Sequence, residues 1–173
     1  VFFGMKHAAP VMKKQGSGSI ISTASVAGQR TGFAGHFYSA CKAAVIHMTR
    51  SVAMELGPFG IRVNSICPGG VVTSIFGRGL GMDQDSAEGL YGKLEEIFRG
   101  AQAIGRAGRP EDIARAAVWL ASDDSSFVSG AAITVDVTDD TNRYVNWLRL
   151  NLQVLGPKRQ GTAVSLDQVA PGR

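Results

Sequence analysis

Residues 19–70 read SIISTASVAGQRTGFAGHFYSACKAAVIHMTRSVAMELGPFGIRVNSICPGG, and this stretch decides the fold. Its opening, Ser19 to Ala24, is a short β-branched run that reads as a buried strand. A glycine-bearing loop, Gly28 to Gly35, leads into a helical segment from about His36 to Leu56, which Gly57-Pro58-Phe59-Gly60 stops. Ile61 to Ile66 then alternates apolar and polar residues as a strand does, and Pro68-Gly69-Gly70 closes it.

Working outward, Phe3 to Gln15 reads as the end of a helix halted by Gly16-Ser17-Gly18. Downstream, residues from Thr73 to about Ile104 lose clear period and gain glycine and acidic residues. An excursion of that length in a compact domain is expected to be a functional lid. Arg109-Pro110-Glu111-Asp112 opens a further helix to about Ala121, with Pro110 in its first turn. Ser122 to Ser126 is a polar break, and Ala131 to Val137 reads as a last strand. Alternating helices and strands predict an α/β domain with a largely parallel sheet over residues 1–136. Residues 137–173 change texture: scattered charges, late Gly and Pro, and only a weak period around Tyr144 to Leu155 mark an appended tail.

The 173 residues, 45% apolar and 8% aromatic, suit one globular domain with a sizeable core. No apolar run reaches the roughly 18 residues that cross a bilayer, and KHAAP interrupts the apolar opening VFFGM, so neither a membrane span nor a secretory signal is expected. Cys41 and Cys67 carry no metal or disulfide spacing and are expected to be buried thiols in a reducing cytosol. The net charge of +4 comes from dispersed residues, with only short pairs such as Lys13-Lys14 and Lys158-Arg159. A nucleic-acid surface needs a denser basic stripe, so no nucleic-acid partner is expected.

The chemistry is carried by YSACK. Tyr38 and Lys42 stand four residues apart near the start of the long helix, on one helical face. An ammonium beside a phenol stabilises the phenolate, and such a phenol can trade a proton with an alcohol or ketone. Ser25 lies thirteen positions earlier, at the end of the SIISTAS run. Open α/β sheets place ligands at the carboxyl ends of their strands. A hydroxyl there can hold the reacting oxygen for Tyr38, as an oxyanion stabiliser does. His36 and His47 are given no catalytic role.

These residues resemble the short-chain dehydrogenase/reductase family. The resemblance is carried by GSIISTASVAG (18–28), YSACK (38–42), IRVNSICPGGVVT (61–73) and GRAGRPEDIARAAVWLASDDSSFVSGAAITVD (105–136), and it runs nearly continuously over residues 1–136. It implies a doubly wound, Rossmann-like parallel sheet, and hydride transfer between NAD or NADP and an alcohol or ketone substrate. By that resemblance Tyr38 is the general acid/base. Lys42 eases its ionisation and binds the nicotinamide ribose, and Ser25 positions the substrate oxygen. Pro68-Gly69-Gly70-Val71-Val72-Thr73 matches the family's P-G-x-x-x-T segment. There Pro68 and Gly69 bring backbone to the nicotinamide, Val71 meets the carboxamide through its main chain, and the Thr73 hydroxyl reaches the phosphates. Residues 74–104 occupy the place of the family's substrate loop, where Phe76, Leu80, Met82, Leu90, Tyr91, Ile97 and Phe98 are candidates to line an apolar pocket.

Two departures qualify the resemblance. No G-x-x-x-G-x-G turn occurs after an early strand, so the cradle for the cofactor pyrophosphate and the residue that chooses NAD or NADP are missing. The sequence, which opens on Val1, is therefore expected to be a fragment or a truncated product lacking the family's N-terminal half. At the other end, Val135-Asp136 continues as Val137-Thr138 where the family has V-D-G-G. The expected function is an NAD(P)-dependent, cytoplasmic oxidoreductase, homo-oligomeric, acting on an apolar, medium-sized alcohol or ketone. The alternative is a non-catalytic partner that pairs with related subunits.

Overall fold

The computed structural model describes residues 1–136. The tail expected over residues 137–173 lies outside the described residues, and so does Val137, the last residue of the expected third strand.

Three strands form one parallel sheet in the order β1 (Gly18–Thr23), β2 (Ile61–Pro68), β3 (Ala132–Val135). Gly18 to Thr23 pair with Ile61 to Ile66, and Ser65 to Pro68 pair with Ala132 to Val135. β2 thus runs two residues past its expected end, because Cys67 and Pro68 find partners on β3 that no local pattern announces. Helix α1 (Phe2–Gln15) closes where Gly16 turns left-handed, at φ 72°, and its N–H caps the Met12 carbonyl at 3.0 Å. Helix α2 (His36–Leu56) joins β1 to β2. Three helices, α3 (Ile75–Gly79), α4 (Gln84–Glu88) and α5 (Tyr91–Ala101), lie between β2 and α6 (Pro110–Ala121).

The sheet is covered on both faces, and the strand alternation shows how. Ile20, Ile61 and Val63 pack with Met5 of α1 and Ala53 and Leu56 of α2 into one core. On the opposite face, the Ser19 hydroxyl and the Arg62 guanidinium both donate to the Leu120 carbonyl of α6, at 2.8 Å each. Arg62 also donates to the Ser122 carbonyl at 3.0 Å, placing a cation on the negative end of α6. Asn64, fully buried, donates to the Val128 carbonyl at 2.8 Å and accepts the Ala131 N–H at 3.0 Å. Both amide groups are satisfied, so this polar core residue guides the chain into β3.

Two expectations are corrected. Cys67 is buried, but Cys41 is exposed. The buried residues of α2 are Ile46, Thr49, Ala53 and Leu56, and at ~100° per residue Cys41 falls about a quarter-turn off that stripe. The excursion after β2 is not aperiodic. α5 buries Leu94, Ile97 and Phe98 at i, i+3 and i+4. Its period is hidden in the sequence because Gly77, Gly79, Gly81, Gly89 and Gly92 crowd around helices of five residues.

Candidate active site

The site assembles at the carboxyl ends of β1 and β2. Beyond β1 the ladder continues for one bond, from the Ala24 N–H to the Ile66 carbonyl at 2.7 Å. Ser25 follows as the cap of a one-turn 3-10 helix (Val26–Gly28). Its Oγ accepts the Ala27 N–H at 3.2 Å, which leaves the hydroxyl hydrogen able to donate elsewhere. The turn sits directly on α2. A Cβ at Gly28 would lie 2.6 Å from the Lys42 carbonyl carbon and 2.7 Å from the Ala43 nitrogen, so only glycine allows this approach.

Tyr38 and Lys42 extend the stripe that Ile46, Thr49, Ala53 and Leu56 bury against the sheet. The stripe therefore starts as a packing face and ends, past the strand tips, in the wall of a cavity. Tyr38 is 40% exposed. The Lys42 Nζ donates to the Thr23 carbonyl at 3.0 Å and lies 5.5 Å from the centre of the Tyr38 ring. The last residue of β1 thus holds the ammonium beside the phenol.

After β2, the Gly69 N–H donates to the Val135 carbonyl at 3.2 Å, and any side chain on Gly69 would run into Asp136. The Gly70 carbonyl accepts the Gly108 N–H at 3.2 Å, and the Val72 N–H donates to the Gly108 carbonyl at 3.0 Å. Val71 pairs with Gly108 through these flanking groups, so its own N–H and carbonyl have no partner among the described residues.

The residues assigned to catalysis and to the cofactor in the sequence meet in one cavity of about 770 Å³. Ser25, Tyr38 and Lys42 line it, as do Pro68, Gly69, Val71 and Thr73. Of the expected lid residues, Phe76 and Phe98 reach the cavity, with ring centres 5.2 Å apart. Leu80, Leu90 and Ile97 instead pack the lid's own core. Met82 and Tyr91 are half-buried outside both. The sequence reading missed Phe33, Ile75, Ile113 and Ala117, which also line the cavity. Phe33 had one legible signal, a large apolar ring inside an otherwise glycine-rich loop. Ile113 and Ala117, four apart on α6, become wall residues only because α6 folds back over the strand tips.

Two titrating groups frame the site. Burial pushes the Cys67 thiol up, opposed by the Ser25 backbone and the Ser65 side chain, and it lies below the turn as an inert packing residue. At the start of α6, Asp112 accepts two bonds from Arg106, at 2.7 and 2.8 Å, and one from the Arg109 N–H at 2.9 Å. The Arg106 bonds, then the Arg109 N–H, hold its carboxyl down at about 2.

Comparison with known proteins bears on this arrangement. Residues 1–137 match the family model described as enoyl-(acyl carrier protein) reductase. Momilactone A synthase of Oryza sativa subsp. japonica is 43% identical over 135 residues, covering 78% of this chain and 47% of the relative. The crystal structure of levodione reductase superposes with a TM-score of 0.65 at 34% identity, covering 78% of this chain and 51% of that one. A 3-oxoacyl-[acyl-carrier protein] reductase with bound NAD from Brucella melitensis superposes with a TM-score of 0.61 at 32% identity, covering 78% and 45%. The chain spans about half the length of the relatives it matches. With parallel strands, helices on both faces and a Ser, Tyr and Lys at the strand tips, the chain belongs to the short-chain dehydrogenase/reductase family.

Proposed function

We propose that this chain is the catalytic part of an NAD(P)-dependent oxidoreductase that interconverts an uncharged secondary alcohol and its ketone. The observation that carries the reading is the convergence of Ser25, Tyr38 and Lys42 with the Pro68–Thr73 turn on one cavity. The chain's residues fit the nicotinamide end of a dinucleotide. Val71 offers an N–H and a carbonyl with no partner among the described residues, Gly69 and Gly70 allow close backbone approach, and Thr73 adds a hydroxyl. The Brucella relative, whose structure holds NAD, supports the same cofactor class.

When bound, the nicotinamide takes or returns the hydride at the carbinol carbon. The protein's own part is the proton. Ser25 donates its hydroxyl hydrogen to the substrate oxygen and fixes that oxygen near Tyr38. Tyr38 accepts the alcohol proton on oxidation and returns it on reduction. Lys42, kept beside the ring by Thr23, stabilises the phenolate that forms.

The substrate class follows from the wall. Among the described residues, every side chain lining the cavity apart from Lys42 is uncharged, and Phe33, Phe76 and Phe98 supply three phenyl rings. A carboxylate or phosphate on the substrate would find no second cation there, so a medium-sized apolar alcohol fits best. Tyr38→Phe, made in the protein that carries the dinucleotide-binding half, is expected to cut turnover about 10³-fold or more while leaving cofactor affinity within about twofold. Retained turnover in steady-state assays would overturn the assignment.

A second reading, subunit association, is favoured by apolar side chains left on the surface of α1, α2 and the loop before β3. Phe3, Phe37 and Met54 are 70%, 85% and 82% exposed, and Phe127 is fully so. Light scattering on the purified chain tests it; a well-folded lone monomer counts against it. No helix among the described residues is long and apolar enough to cross a membrane.

A further inference from the structure

Gln102 ends the lid helix α5, yet its side chain reaches the turn after β2. It is 5% exposed, and its Nε2 donates to the Gly70 carbonyl at 2.7 Å. Its Oε1 is also buried and has no partner among the described residues. As glue for the fold this is a poor choice: one bond is made and one buried acceptor is left unmet. A residue of that kind calls for another explanation, and the turn supplies one.

A peptide unit is planar, and in the trans form its carbonyl and N–H point in opposite directions. The Gly70 carbonyl and the Val71 N–H share one such unit. Gln102 and Gly108 hold that carbonyl from one side, so the Val71 N–H is aimed away from residues 102–108. The Val71 carbonyl and the Val72 N–H share the next unit. Gly108 holds that N–H, so the Val71 carbonyl is aimed away as well. Both unpaired groups of Val71 are therefore oriented by bonds made at the other ends of their peptide planes. One of those bonds comes from the lid. Four residues before Gln102 on the same helix, Phe98 lines the cavity.

We propose that Gln102 is a positioning residue that aims the Val71 main chain at the nicotinamide and couples that aim to the placement of the lid. The nicotinamide half of this statement rests on the function proposed above; the pinning of the turn does not. Substitution should act in opposite directions on fold and function. Gln102→Met keeps the shape, removes the buried unpaired oxygen and loses the bond to Gly70.

The test pairs hydrogen exchange on the purified 173-residue chain with fluorescence titration of the protein that carries the dinucleotide-binding half. In Gln102→Met the Val72 amide is expected to exchange about tenfold faster, with amides of β1 and β2 unchanged and the thermal midpoint equal or higher. In the protein that carries the dinucleotide-binding half, affinity for NADH should fall about fivefold or more, while affinity for ADP-ribose, which lacks the nicotinamide, stays the same. Unchanged exchange at Val72 overturns the proposal. So does a lower melting point with NADH and ADP-ribose weakened together, which marks a merely structural residue. Faster exchange in the variant, with neither nucleotide binding the parent protein that carries the dinucleotide-binding half, upholds the pinning and overturns the cofactor reading instead.

Discussion

The two walls of the cavity are built on different terms. One wall, made by β1, the turn after it and α2, stands on a sheet whose register is set residue by residue and on the core of Met5, Ile20, Ala53, Leu56, Ile61 and Val63. The other, residues 74–104, has short helices broken by glycine and a separate core of Leu94, Ile97, Phe98 and Ala107. Ser25, Tyr38 and Lys42 are on the first wall; Phe76 and Phe98 are on the second. Under the proposed function, groups that must meet within hydrogen-bond reach would be carried by regular elements, and the surface that selects a substrate by a unit able to vary without disturbing them.

The comparison makes a strong claim, that the two cores fail separately. Leu56→Ala opens a hole in the fully buried centre of the first and should cost about 3 kcal/mol of global stability, read by urea unfolding. Phe98→Ala, although it also removes a fully buried side chain, should leave the global midpoint far less changed. Its effect should appear as faster proteolysis between residues 74 and 104. Equal loss of global stability in both variants would merge the walls into one unit.

A smaller effect sharpens the claim about the first wall. Gly28→Ala drives a methyl into the backbone of Lys42 and Ala43 and should cost about 1–3 kcal/mol. Because the strain falls on the residues that hold Ser25 against α2, turnover in the enzyme completed with its dinucleotide half should drop more than stability does. A variant destabilised but fully active would show that the turn tolerates displacement.

The smallest effect lies where the lid rejoins the body. Asp112 caps the Arg109 N–H and pairs with Arg106, and its folded pKa is depressed to about 2 from the ordinary 3.8. A depressed carboxyl contributes stability that is fully present above the ordinary value and is lost as pH falls through the folded one. The melting temperature should therefore fall between about pH 4 and pH 2, and Asp112→Asn should flatten that part of the profile. At neutral pH the same variant should cost about 1 kcal/mol, as helix caps do. An unchanged acid limb in Asp112→Asn would assign the loss to other carboxylates.

Local signals carried much of the fold. The β-branched run at Ile20 and Ile21, the alternation from Ile61 to Ile66 and the Gly57-Pro58 stop each depend on neighbours along the chain, and α2 has the bounds that were expected of it. The two-residue extension of β2 was not legible, because Cys67 and Pro68 are strand residues only through Thr134 and Val135, far along the chain. Cys41 was misplaced for a related reason. Its residue type favours burial, but its angle on the helix decides, and that angle is measured from a stripe chosen by the sheet.

The site divides along the same line. Sequence by itself determined that Tyr38 and Lys42 share a helix face and that a glycine-rich turn follows β2, since both are matters of spacing within one element. Only the tertiary structure decided that Lys42 rests on the Thr23 carbonyl, that Phe33 stands in the cavity wall, and that Gln102 holds the Gly70 carbonyl from the end of the lid. Those contacts join residues 19 or 32 positions apart, or set a loop ring against a helix from elsewhere in the chain. No periodicity spans such separations; packing of the sheet and closure of the lid over it bring them together.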